Sequence, residues 1–161
     1  MQPAVTGSNP PSSEGYLAPS RGRILFASLA VLSLAGMIVS AISLQRHYAK
    51  SATEFCDFSQ QFSCDIVNRS EYSSIVGIPV AGIGVAGYAA LLVLSTFWKS
   101  RPETPNRLLG VALAGLAFAL YLTYVEAYLL TTWCILCLIS LLLIFLISVL
   151  AIVVKARGAG A

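Results

Sequence analysis

Charged residues make up only 11% of this 161-residue chain, well under the roughly 25% usual in soluble domains. Seven acidic and ten basic side chains are too few to coat a water-soluble enzyme with a polar shell. Their net charge of +3 is too small to mark a module for binding nucleic acid or another polyanion. A hydrophobic content of 57% excludes a chain that is disordered throughout. Histidine occurs once, as His47. With no second histidine for a metal or catalytic pair, it reads as a solvated interfacial residue beside Arg46 and Lys50. No metal site is expected.

What remains is long apolar runs. A bilayer core about 30 Å thick takes roughly 20 apolar residues in a helix. Residues 24–44, 78–98 and 133–154 carry no charge, and residues 108–130 carry one, Glu126. These runs cover more than half the chain, and helices satisfy their own backbone in lipid. The expected fold is therefore an all-α membrane protein. It is a four-helix bundle over residues 23–154, with an outer loop at 45–74 between helices 1 and 2. Residues 1–22, rich in Pro, Ser and Gly, read as a disordered N-terminal segment, and residues 155–161 as a tail. The run at 24–44 exceeds the usual h-region of about 7–15 residues and reads as a retained helix rather than a cleaved signal.

Orientation follows from lysine and arginine. Arg21 and Arg23, then Lys99, Arg101 and Arg107, then Lys155 and Arg157 all fall on one side of a four-span chain. That side reads as cytoplasmic, with both termini on it. The opposite side carries Arg46, Lys50 and Arg69, offset by Glu54, Asp57, Asp65 and Glu71.

All four cysteines fall on the non-cytoplasmic side, where disulfides are permitted. Cys56 and Cys64 lie in the loop, and Cys134 and Cys137 open helix 4. Of three possible pairings, the spacing favours Cys56–Cys64 with Cys134–Cys137. The second pair is a C-x-x-C. With Thr131 or Thr132 as N-cap, Cys134 falls in the first helical turn, where free N–H groups favour a thiolate. Cys137 lies on the same face, about 4.5 Å deeper. The shallower sulfur can meet a water-side partner and the deeper one a lipid-soluble oxidant. A zinc site made of all four cysteines is the duller alternative, but C-x7-C is wider than the usual ligand spacing.

The ordered set Cys56-x7-Cys64, Ser70, Gly77-Ile78-Pro79 and C-x-x-C resembles the vitamin K epoxide reductase family, over residues 23–154. The resemblance implies a thiol–disulfide relay. Cys134 and Cys137 would form the active-site pair beside a quinone of the ubiquinone, menaquinone or vitamin K type, with Cys137 reacting with it. Cys56 and Cys64 would shuttle electrons from a reduced thioredoxin-fold (DsbA-like) partner, Cys64 exchanging with Cys134. Ser70 would support the site. Leu141 stands where vertebrate members carry a tyrosine, and no fused thioredoxin-like domain is present in this chain. The first implies a departure from epoxide reduction and the second a separate partner. The Gly-Ile-Pro-Val-Ala-Gly-Ile-Gly run opening helix 2 is more similar to bacterial members, implying a stand-alone protein set in the inner membrane and serving disulfide formation. Reduction of vitamin K quinone or its epoxide is the alternative within this chemistry. A structural four-span protein of the claudin or tetraspanin kind is the alternative outside it.

Several residues have plainer readings. Gly82, Gly84 and Gly87 give helix 2 a small face, for close packing or for the approach of a quinone ring, with Gly84 the candidate contact. Glu126, the sole ionisable residue inside a span, is either functional or snorkels to the nearby interface. Tyr121, Tyr124 and Tyr128 share a helix face and read as an interfacial belt. Phe55, Phe58 and Phe62 flank the loop cysteines and read as a lid.

Overall fold

The computed structural model describes residues 18–48, 57–59, 62–99 and 102–159. Cys56, Phe55 and the N-terminal segment up to residue 17 lie outside them.

Four long helices carry the architecture. They are α1 (Ala18–Tyr48), α3 (Val80–Thr96), α4 (Thr104–Val125) and α5 (Ile135–Ala159). A short α2 (Cys64–Asn68) lies between the first two. Three stretches are long and apolar enough to cross a membrane: Gly22–Tyr48, Thr104–Leu130 and Ile135–Arg157. The protein is accordingly a helical membrane protein.

The helices differ from the expected spans at their ends. Helix α1 is longer at both, starting at Ala18 within the segment read as disordered. The second apolar run yields only the 17-residue α3. At 1.5 Å per residue this is about 25 Å of helix, at the short end for a span. Its first two residues are spent in a hairpin. Strands β3 (Ser74–Ile75) and β4 (Ile78–Pro79) pair antiparallel. The two-residue turn between them has positive φ at Val76 (52°) and Gly77 (81°), the turn geometry that matches strand twist. Pro79 is extended (φ −64°, ψ 132°) and caps α3, rather than lying in its first turn. A second hairpin, β1 (Asp57–Ser59) with β2 (Phe62–Ser63), precedes α2.

Helix α1 packs on α3 and α5, and α4 packs on α5 and α3. The core joins Leu29, Leu91, Leu108, Ala112, Ile147 and Ala151 from all four helices. Small residues set the α1–α3 distance. A Cβ on Gly36 would lie 2.2 Å from the Tyr88 ring, and one on Gly84 would lie 2.9 Å from Ser40 Oγ. Of the three glycines read as a small face, Gly84 makes the close approach, while Gly87 meets nothing within 4 Å. The outward faces are apolar. Val31, Ile38, Leu120, Leu142 and Phe145 are all exposed, as a bundle solvated by lipid requires.

Candidate functional site

The site is built where the loop after α1 meets the link between α4 and α5. Helix α4 ends in a π-helical turn, Glu126–Leu130. Thr131 then takes a left-handed conformation (φ 50°) and Thr132 N–H closes back on the Glu126 carbonyl at 3.3 Å. The wider π turn, a feature often found at functional sites, leaves the Glu126 side chain only 1% exposed. It does not snorkel.

Neither threonine caps α5. Both hydroxyls donate to the Leu130 carbonyl, at 2.8 Å from Thr131 and 3.1 Å from Thr132. The left-handed residue reverses the chain, and two further residues pass before α5 begins at Ile135. Cys134 itself holds the N-cap position, its carbonyl accepting the Leu138 N–H at 3.0 Å. Its sulfur faces the backbone N–H groups of Leu136 and Cys137 and the Cys137 thiol. An N-cap sulfur addressed by free N–H groups is favourably placed to carry negative charge. The Cys134 N–H donates in turn to Glu126 Oε2 at 3.2 Å.

The described cysteines have distinct surroundings. Cys64 is disulfide-bonded, and its expected partner, Cys56, lies outside the described residues. Cys134 and Cys137 are free thiols. Cys64 and Cys134 are buried in one cluster with Val67, bordered by Leu130 and Leu136. Cys137 borders that cluster and also opens on a cavity of about 400 Å³ between the helices, whose walls do not include Cys134. That volume lies in the range of small-molecule and cofactor sites.

The cavity wall is mostly aliphatic and aromatic, from α1, α3, α4 and α5. Its polar groups are few. The Tyr88 hydroxyl donates to the Ser140 carbonyl at 2.9 Å, and Ser140 Oγ is equally near. Asn68 Nδ2 and Glu126 Oε1 are buried without a hydrogen-bond partner among the described residues.

Ser70 and Gly84 both line this cavity. The Ser70 hydroxyl donates to the Val67 carbonyl at 2.8 Å, and the Ser70 carbonyl accepts from Ser73 Oγ at 2.7 Å. Ser70 thus shapes the loop turn behind Val67, which packs against Cys64 and Cys134. Gly84 places the wall close to Ser40.

Other residues fall differently from the sequence reading. His47 is no free interfacial side chain. Its Nδ1–H donates to the Asn68 carbonyl at 2.5 Å, fastening the end of α1 to α2, and the residue lines the cavity. Ser40, Ser43 and His47 stand at i, i+3 and i+7, a polar stripe on an apolar helix that spacing alone could have revealed. Asn68 and the Tyr88–Ser140 contact carry no such signal. Tyr121, Tyr124 and Tyr128 are all more than half exposed, with the last two rings 4.8 Å apart, on the outer surface. The Phe58 and Phe62 side chains read as a lid lie outside what is described.

A membrane bundle with buried Cys134 beside half-buried Cys137, the latter opening on an apolar cavity, is the arrangement of a thiol site next to a small-molecule pocket. The family model described as the vitamin K epoxide reductase family matches residues 27–152. The chain belongs to that family, one of quinone-linked thiol oxidoreductases.

Proposed function

We propose that this protein is a quinone-dependent thiol–disulfide oxidoreductase that reoxidises a thioredoxin-fold partner and so supports disulfide formation. Electrons enter at Cys56 and Cys64, pass from Cys64 to Cys134, and leave through Cys137 to a membrane quinone. The observation that carries this reading is the division between neighbouring sulfurs: Cys134 is buried against Cys64, and Cys137 lines the cavity. A relay needs a sulfur for each neighbour, and a structural disulfide needs neither.

The cavity suits a quinone head. Its aliphatic wall matches the ring. Asn68 Nδ2 offers an unpaired donor to a carbonyl oxygen of such a ligand. A bound quinone would supply the two-electron acceptor. The chain's own residues do the rest. The N–H groups at the start of α5 hold the Cys134 sulfur ready for exchange. Val67, with the partly buried Leu130 and Leu136 packed at its edge, shields the Cys64 and Cys134 sulfurs from water. Ser70 and His47 fix the loop over them.

On this reading the protein sits in a bacterial inner membrane, with termini cytoplasmic and cysteines on the outer side, and α3 spans with the three longer helices. The test mixes purified protein, a reduced thioredoxin-fold oxidase and ubiquinone or menaquinone, and follows quinone absorbance. Turnover abolished by Cys137→Ser is expected. No turnover with either quinone, or turnover that survives Cys137→Ser, overturns the assignment.

A further inference from the structure

The relay leaves one group at the site without a task. Glu126 is 1% exposed, deep in a bundle where an ionisable side chain is costly to keep. Its Oε2 is anchored by the Cys134 N–H at 3.2 Å. Cys137 lines the same cavity as this carboxyl. Its Oε1 has no hydrogen-bond partner among the described residues, and the residue lines the cavity on which Cys137 opens. A purely structural carboxyl would be satisfied on both oxygens, since an orphaned buried acceptor costs about 1–3 kcal/mol. Here one oxygen is fixed and the other stays open beside the reacting sulfur.

We propose that Glu126 is the proton-transfer residue of this site: it accepts the proton of the Cys137 thiol as that sulfur gives up its electrons, and delivers it to an oxygen of the quinone in the cavity. This rests on the quinone-reducing reading above. The balance closes without another reactant. Two S–H bonds break and one S–S bond forms between Cys134 and Cys137. The two electrons and two protons released reduce one quinone to quinol. The Cys137 proton travels through Glu126, and the second O–H takes its proton from water, matching the one Cys134 released to water when its thiolate formed.

The other titratable groups on the cavity wall among the described residues are His47 from α1, Tyr72 from the loop and Tyr88 from α3. His47 Nδ1 is engaged with the Asn68 carbonyl and Tyr88 with Ser140. Glu126 is the one whose carboxyl is bonded to the C-x-x-C, through the Cys134 N–H, and lines the cavity beside Cys137.

Glu126→Gln tests this, because the amide keeps the size and the carbonyl that accepts the Cys134 N–H but cannot take up a proton. In the prereduced protein, single-turnover oxidation by quinone should slow by about 10²-fold, the usual scale of a lost acid–base group. Quinone affinity of the oxidised protein, read by fluorescence quenching, should be unchanged, and Glu126→Asp should restore part of the rate. A second readout needs no quinone. Reduced-minus-oxidised infrared spectra of the wild-type protein should show a carboxyl band that shifts when the cysteine pair is reduced and is missing in Glu126→Gln. A wild-type rate in Glu126→Gln overturns the proposal, as does a wild-type spectrum with no carboxyl shift. Slowing accompanied by lost quinone affinity and no carboxyl shift assigns a packing role and overturns it equally. If the wild-type protein reduces no quinone, the quinone reading fails instead, and the infrared shift still decides whether Glu126 exchanges a proton with Cys137.

Discussion

Cys64 and Cys134 lie in one buried cluster, at 1% and 0% exposure, although 70 positions separate them in the chain. The 3.3 Å hydrogen bond that closes the π turn and the His47–Asn68 bond hold the two sides of that cluster from opposite ends of the sequence. In the proposed relay, this contact is where the loop disulfide and the helical pair would exchange.

Removing Cys137 should therefore trap that exchange. In Cys137→Ala, the Cys134 sulfur has no resolving thiol, and a Cys64–Cys134 mixed disulfide should accumulate. Peptide mapping under non-reducing conditions reads it. A Cys64–Cys137 link forming as readily in Cys134→Ala would contradict the assignment of roles.

Removing Cys64 should separate the two halves of the reaction. Cys64→Ser keeps Cys134, Cys137 and the cavity, so a small thiol such as dithiothreitol should still drive quinone reduction. Turnover with a thioredoxin-fold partner should be lost. Equal turnover with both donors would show that the loop pair is not in the path.

The α1–α3 contact sets the cavity's shape, and Gly36 is its tightest point. A methyl group there would sit 2.2 Å from the Tyr88 ring, whose hydroxyl is tied to Ser140. The ring cannot yield without losing that bond. Gly36→Ala should cost about 1–3 kcal/mol, the usual range for overpacking, measured as a lowered unfolding midpoint in detergent. Full stability would mean that the two helices separate easily at this point.

Much of this arrangement is legible in the sequence because lipid imposes so few options. Apolar runs of the right length with at most one charge locate α1, α4 and α5, and the order and spacing of Cys56, Cys64, Cys134 and Cys137 single out the family. The ends of elements are less legible. Ile78 and Pro79 are apolar enough to belong to a span, yet a hairpin turn at Val76–Gly77 claims them. The threonines ahead of the C-x-x-C suit an N-cap, yet a π turn and a left-handed Thr131 displace the cap to Cys134. Hydropathy does not register backbone events of that kind. Glu126 stands out as a lone charge in a span, but only packing decides that it turns inward rather than snorkels. Asn68 looks like an ordinary loop residue until the cavity forms beside it.

His47 should matter through the loop rather than through chemistry. His47→Ala removes the hydrogen bond to the Asn68 carbonyl, worth about 1 kcal/mol. Backbone hydrogen exchange in α2, Cys64–Asn68, should speed up, and turnover with a protein partner should fall while dithiothreitol-driven turnover holds. A matching fall with both donors would instead place His47 in the quinone step.

The central claim is that the cavity on which Cys137 opens is where the quinone binds. Prereduced protein is treated with a membrane-permeant maleimide, with and without a non-reducible quinone analogue, and the alkylated peptides are mapped. The account predicts that the analogue protects Cys137 and leaves the reaction of Cys134 unchanged. A Cys137 rate indifferent to the analogue would contradict it.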